Sequence, residues 1–419
     1  MTAGILRHYC RPYYPITQNA THSQSIYVRI AFILLCCDQL FMTRAYALSN
    51  FVETILFGLF LLVPFLRSEF IRALRDPIVL SLMLFFVWCL LSGLWSSAPL
   101  VNVLQDWWGW RKLLLFPIGL VLFQYERYAR IALCVAIGVA AFFLALITYA
   151  SIMDLSMIWD RTLPNVLQNH NAQGIYFAIV GFSITLITKR VTDAPWLRIL
   201  MICLGLSFLL FTAMVGTSRA GYVAFVICFT LMIFWLLKGR VFSLFVGIGL
   251  GFLVLFVSPI AENRIKQAVS EIMMGVKETG GKDTSGSIRV VMWKNTVQMV
   301  AESPFLGTGA AAFDRGYSNV VVDQTGWRAA VTDDPHNQYL HIAAEYGLVG
   351  LLLFLLFMGN AYRSINISDP FGILLLSTIS VSAVTCTFSG VFGNAIEGRI
   401  FLLFFAIFLS LSRHEKKPA

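Results

Sequence analysis

Three side chains in this 419-residue chain have the types and settings to handle a phosphorylated substrate: His336, Arg219 and Arg289. An imidazole changes charge near neutral pH and can therefore take or give a proton during a reaction. A guanidinium presents a planar fork that matches two phosphate oxygens at once.

His336 closes the segment Asp333-Asp334-Pro335-His336-Asn337, at the end of the chain's one long polar stretch, Ala261 to Gln338. It opens a helical run whose same-face positions are Leu340, Ala343, Gly347 and Gly350, so it stands at the end of a stripe of small residues suited to close helix packing. The helix dipole there disfavours imidazolium while Asp333 and Asp334 favour it. A capping or interfacial histidine fits the same position. His341 and Glu345 point to other faces.

Arg219 sits at the tip of Val215-Gly216-Thr217-Ser218-Arg219-Ala220-Gly221-Tyr222, a tight break between two apolar runs. Position alone suits an arginine snorkelling to lipid head groups. Gly216 and Gly221 would also admit a second backbone or a lipid, which favours a guanidinium held for a lipid phosphate. Arg289 shares a helical face with Trp293, Thr296 and Val300, with Ser287 as the expected N-cap. An arginine one turn from a tryptophan suits an anionic head group at an apolar border, although a solvated surface gives the same spacing.

Other chemistries find little support in the sequence. It contains no G-x-S-x-G elbow, Walker loop or H-E-x-x-H. His336 and His341 are off a common helical face, and Asp333-Asp334 lacks the D-x-D arrangement of a divalent-ion site. The expectation is a reaction on a lipid-linked phosphate without metal or cofactor.

The elements that must position these groups are membrane helices. With 58% hydrophobic and 13% charged residues, the composition excludes an ordinary soluble domain. The first 25 residues have no apolar core and no small-residue cleavage site, so a removable signal peptide is not expected. Cys10, Cys36, Cys37, Cys89, Cys134, Cys203, Cys228 and Cys386 lie in the N-terminal tail or in apolar segments, which argues against a disulfide framework or zinc site.

A membrane core of roughly 30 Å needs about twenty apolar residues per helix. Twelve candidate runs are present: Ile26–Met42, Ala47–Leu66, Pro77–Trp95, Leu113–Phe123, Ala129–Ser151, Gly174–Thr188, Leu197–Val215, Tyr222–Leu237, Val241–Pro259, Tyr339–Ala361, Phe371–Phe392 and Ile400–Leu411. They divide the chain into a bundle of about nine spans (residues 1–259), a large loop (260–338), and about three spans with a tail (339–419).

Lys and Arg alternate between connections. One set holds Arg67, Arg72, Arg75, Arg127, Arg130, Lys189, Arg190, Arg198, Lys238, Arg240, Arg363, Arg413, Lys416 and Lys417. With Arg7 and Arg11, this puts both termini in the cytoplasm and the long loop outside, which in a bacterium is the periplasm. Part of the +9 net charge is thus an insertion signal, and no nucleic-acid partner is expected. The outer cations, each needing an explanation, then include Arg44, Arg111, Lys112, Arg161, Arg219, Arg289 and Arg399.

Within the loop, Ile265, Val269, Ile272 and Val276 predict an amphipathic helix over Glu262 to Lys277, lying on the leaflet or the bundle. A glycine hinge from Gly280 to Gly286 follows, then the Arg289 helix. Ser303-Pro304 and Gly307-Thr308-Gly309 end that helix and turn the chain.

In these features the chain resembles the O-antigen ligase and O-antigen polymerase superfamily of bacterial inner membranes, and the ligases most closely. The resemblance covers most of the chain. It rests above all on Ser-Ile-Arg-Val-Val-Met-Trp, Ser-Pro-Phe-Leu-Gly-Thr-Gly, and His336-Asn337 followed by Gly347 to Gly350. It implies an all-α, GT-C-like membrane glycosyltransferase of about twelve spans. The implied reaction moves O-antigen polysaccharide from undecaprenyl diphosphate to a sugar hydroxyl of lipid A-core, inverting the anomeric centre without metal.

The family's essential histidine falls on His336 and its two important arginines on Arg219 and Arg289. Asn337, Arg399 and Trp293 are expected in support. Around the first arginine the family pattern R-x-x-x-L is met here by Val223, which keeps an apolar residue. An O-antigen polymerase or protein O-oligosaccharyltransferase would use a similar donor and a different acceptor. A twelve-span secondary transporter is the alternative of another class, disfavoured by dissimilar halves and by ionisable groups clustered at the outer boundary.

Overall fold

Proline and acidic residues punctuate the helices as their local chemistry requires. Pro77, Pro195 and Pro370 each stand in a first helical turn, where the missing N–H costs nothing. Asp76 caps the Ile78 amide, and Asp369 caps those of Phe371 and Gly372. The computed structural model describes residues 22–152, 169–277 and 284–415, and among these no β-strand occurs. Arg161, the hinge residues Gly280 and Gly281, and the tail residues Arg7, Cys10, Arg11, Lys416 and Lys417 lie outside the described residues.

The helices run in order α1 (His22–Phe41), α2 (Tyr46–Leu62), α3 (Pro64–Ala73), α4 (Pro77–Leu91), α5 (Leu100–Gly109), α6 (Leu115–Leu122), α7 (Glu126–Ile152), α8 (His170–Val191) and α9 (Pro195–Leu210). They continue as α10 (Arg219–Leu236), α11 (Phe242–Val257), α12 (Pro259–Lys277), α13 (Ser285–Glu302), α14 (Phe313–Val320), α15 (Gln338–Arg363), α16 (Pro370–Thr385) and α17 (Ala395–Glu415). Among the described residues, eight helices are long and apolar enough to cross a membrane, or ten if each of two bent pairs counts as one span. The chain is therefore a multi-pass membrane protein. The other two of the twelve expected runs, at α6 and α16, form helices of 8 and 16 residues.

The two bends modify the expected spans. Ala47–Leu66 breaks at Val63-Pro64, where α2 and α3 meet at 92°, because a proline ring cannot continue the preceding turn. Val241–Pro259 turns by 104° at Ser258-Pro259 into α12, the expected amphipathic helix, which packs on α13 and on the irregular turn before α10. At the centre of the bundle stands α17, with 94% of its span buried, against α6, α7, α8 and α16.

The α15 helix departs from a smooth glycine-striped span. Gly347 has φ +70° and ψ −179° and breaks the helix into an N-terminal and a C-terminal part. Into this break runs the Pro304–Gly309 strand of loop: Thr308 and Gly309 donate to the carbonyls of Ala344 and Glu345, and Leu348 donates to Pro304. A Cβ on Gly347 would come within 2.1 Å of the Phe305 carbonyl oxygen, so only glycine fits both the dihedral and the space. Gly350 serves a different purpose, admitting the Trp88 indole against the helix.

Candidate active site

Arg219 owes its position to a capped and closely packed helix start. A π-turn over Phe211–Val215 ends α9, and Ser218 then caps α10 by accepting from the Gly221 amide at 2.9 Å. The same hydroxyl donates to Asn171 at 2.9 Å on α8. At this crossing a Cβ on Gly174 would lie 2.6 Å from the Gly221 Cα, so the close approach expected at Gly221 is that of the α8 backbone. From this start the Arg219 guanidinium reaches Glu271 of α12 at 2.9 Å. Glu271 is almost fully buried, and its other oxygen accepts from Gln267 at 2.7 Å.

Arg289 projects from the second turn of α13. Thr284, one residue before the helix, is its N-cap; Ser287 is the third helical residue and completes a capping box by accepting from the Thr284 amide. The expected cap at Ser287 is thus displaced by three residues, because threonine and serine can exchange reciprocal bonds at that spacing. Burial weakens the proton affinity of Arg289, the nearby Arg219 weakens it further, and Asp334 and Glu271 oppose both. The two arginines are therefore electrostatic neighbours, with a carboxylate beside each.

His336 stands at the start of α15 in the left-handed region, with φ 53°. Such a conformation is costly for a non-glycine residue and is held here by its surroundings. Asp334 accepts from the His336 amide at 2.7 Å with one oxygen and lies 3.4 Å from the ring Nδ1 with the other. Burial pushes the Asp334 carboxyl upward, yet hydrogen bonding to His336 and the nearby His341 outweigh it and hold the group below the usual carboxylate range. The His336 side chain remains 46% exposed.

Trp293 and Asn337 hold this turn in place. The Trp293 indole donates to the Pro335 carbonyl at 2.9 Å. Asn337 caps α15 by accepting from Tyr339 and Leu340, and its amide donates to the Thr387 carbonyl.

Arg399 is placed apart from these groups. It is buried within α17 and forms a two-pronged pair with Glu53, at 2.5 and 2.8 Å, with a further bond to Asn50. Arg111 reaches the same Asn50, and Lys112 donates to the Gly393 carbonyl. These three cations, expected on the outer side, belong to a buried network that ties α2, α17 and the turn before α6 together.

A second buried cluster lies beneath the histidine. His341 and Glu345 meet at 3.1 Å, one helical turn apart. The Tyr346 hydroxyl donates to Asp106 at 2.6 Å and accepts from Trp110. Burial, together with the Glu345 charge, pushes the Asp106 carboxyl up to about 7.

The structure thus pairs Arg219 with Glu271 and His336 with Asp334, and sets Arg289 within the electrostatic reach of Arg219, Glu271 and Asp334. Glu271 went unnoticed in the sequence because its partner lies 52 residues away on another helix, beyond any periodic signal. Asp334 was visible as a charge beside the histidine but not as its ring partner.

The family model described as O-antigen ligase matches residues 204–355, a stretch that contains all five of these residues. An uncharacterized protein of Haemophilus influenzae is 22% identical over 307 residues, covering 71% of this chain and 75% of that protein.

Proposed function

We propose, on the premise that this chain is a member of the O-antigen ligase/polymerase superfamily, as the match over residues 204–355 supports, that it is an O-antigen ligase. It would transfer O-antigen polysaccharide from undecaprenyl diphosphate to a sugar hydroxyl of lipid A-core, at the periplasmic face of a bacterial inner membrane.

The observation that carries this reading is the setting of His336. Asp334 faces Nδ1, which favours the tautomer with the proton there and leaves the lone pair on Nε2. That nitrogen accepts the proton of the acceptor hydroxyl as its oxygen bonds to the anomeric carbon of the donor sugar. The bond from that carbon to the phosphate oxygen breaks on the opposite face, and its electron pair leaves with the diphosphate. Arg219 and Arg289 hold the diphosphate and stabilise the charge that grows on it. One displacement of this kind inverts the anomeric centre.

Replacing His336 by Gln tests the assignment directly. With purified lipid-linked donor and core acceptor, turnover should fall by about 10²- to 10⁴-fold, the usual contribution of a general base, while donor still binds. Near-normal turnover would remove His336 from the role. In cells lacking the protein, full-length core without O-antigen beside accumulated lipid-linked polymer is expected. Core capped by a single repeat would instead indicate a polymerase.

A further inference from the structure

Charge balance at the site is the starting point. Two guanidiniums, Arg219 and Arg289, face two carboxylates, Glu271 and Asp334, so the four formal charges cancel. A diphosphate brings further negative charge and gains most from cations that are free to meet it. Asp334 is committed to His336 by two contacts. Glu271 instead lies directly on the Arg219 guanidinium, in the kind of place a phosphate oxygen would take.

The start of α13 fixes where the Glu271 side chain leaves α12. A Cβ on Gly286 would come within 2.6 Å of the Glu271 Cβ and 3.2 Å of its Oε2, so α13 lies against this side chain from its base to one carboxylate oxygen. Beyond that base the side chain has a second partner, the Gln267 amide one turn earlier on its own helix, which can retain the carboxylate once Arg219 is released.

We propose that Glu271 is a built-in stand-in for a donor phosphate: it occupies Arg219 in the empty site, gives way when the diphosphate binds, and retakes the arginine as the diphosphate product leaves. This inference rests on the reading of Arg219 and Arg289 as the diphosphate clamp. Competition of this kind weakens donor binding and speeds product release, which is useful when the leaving group is the same diphosphate that the site was built to hold. Glu271 is a positioning residue in this scheme and touches no reacting atom.

The test is binding of inorganic pyrophosphate to the full-length protein in detergent, with donor kinetics alongside. Glu271→Gln should bind pyrophosphate about tenfold more tightly, the scale of one lost charge-assisted competitor. Both KM for the lipid-linked donor and kcat should fall, because release of the diphosphate product becomes slow. Glu271→Asp, which keeps the charge but shortens its reach to Arg219, should shift binding in the same direction and supplies the answer if the Gln variant does not fold. Arg219→Ala and Arg289→Ala should weaken pyrophosphate binding. If the arginine variants weaken binding but neither Glu271 variant tightens it, Glu271 only braces Arg219 and the proposal fails. If the arginine variants bind pyrophosphate as well as the parent protein, the clamp itself is wrong.

Discussion

The indole nitrogen of Trp293 donates to the carbonyl oxygen of Pro335 at 2.9 Å, tying the helix that carries Arg289 to the turn that carries His336. Arg289 stands one helical turn before this indole and His336 one residue after the carbonyl. The bond therefore sets the spacing between Arg289 and His336, the proposed phosphate-binding and proton-accepting groups.

Trp293→Phe keeps an aromatic ring but loses this bond together with part of the indole's contact area. A stability loss of about 1 to 3 kcal/mol is expected, one hydrogen bond plus the lost packing. Turnover should also fall, by about tenfold or more, because a small displacement of a reacting group is costly. Thermal unfolding and a ligation assay on the same preparation separate the two effects; equal turnover in both proteins would show that the bond does not set the geometry.

Asp334→Asn addresses the orientation of the histidine. Turnover should drop by up to about a hundredfold through a mis-set ring. The pH dependence has a definite sign. The Asp334 carboxyl is held below its ordinary value in the folded protein, so its stabilising contribution is present above the unfolded value of about 4 and is lost as pH falls through the folded value. Melting profiles of the two proteins should differ by a constant amount from neutral pH to about 4 and converge below it. A gap that opens on acidification would contradict this.

Gly347→Ala should be among the most damaging small substitutions in the chain. It adds left-handed strain and drives a methyl group into the Phe305 carbonyl, each worth about 1 to 3 kcal/mol. Loss of monodisperse protein on size exclusion is the expected readout, together with increased proteolysis in the 303–309 loop. Gly359, which has nothing within 4 Å of its Cβ position, is the control: alanine there should be tolerated.

Arg399→Ala should destabilise by about 1 to 3 kcal/mol, since it removes the two-pronged partner of the buried Glu53 carboxylate while Arg111 stays 3.5 Å from it. Pyrophosphate binding by the fraction that stays folded should be unchanged. A selective loss of binding with an intact melting temperature would return Arg399 to the site.

The sequence made the helices legible because long apolar runs admit few alternatives, and proline and aspartate marked many of their ends. It also exposed the three candidate groups, since a histidine or arginine at a break in an apolar chain stands out. Partners across the fold were harder to read. Arg399 looked like an outer cation by charge alternation, but its role depends on Glu53, more than 300 residues away. Gly347 read as one member of a packing stripe, because a single glycine in a helical pattern does not announce a left-handed dihedral. Glu271 lay on a helix whose apolar face was evident, while the reason for burying its carboxylate came from another span.

The loop strand lodged in the break of α15 gives the histidine an anchorage of its own. A continuous helix would behave as a lever, carrying any tilt of its membrane-embedded length straight to His336. With the first segment stitched to residues 304–309 and the joint placed at Gly347, the part of α15 beyond the joint is no rigid extension of that segment. His336 is thereby tied to the loop and, through Asn337 and Gln338, to the carbonyls of Thr387 and Cys386 at the end of α16, and takes its position from these neighbours.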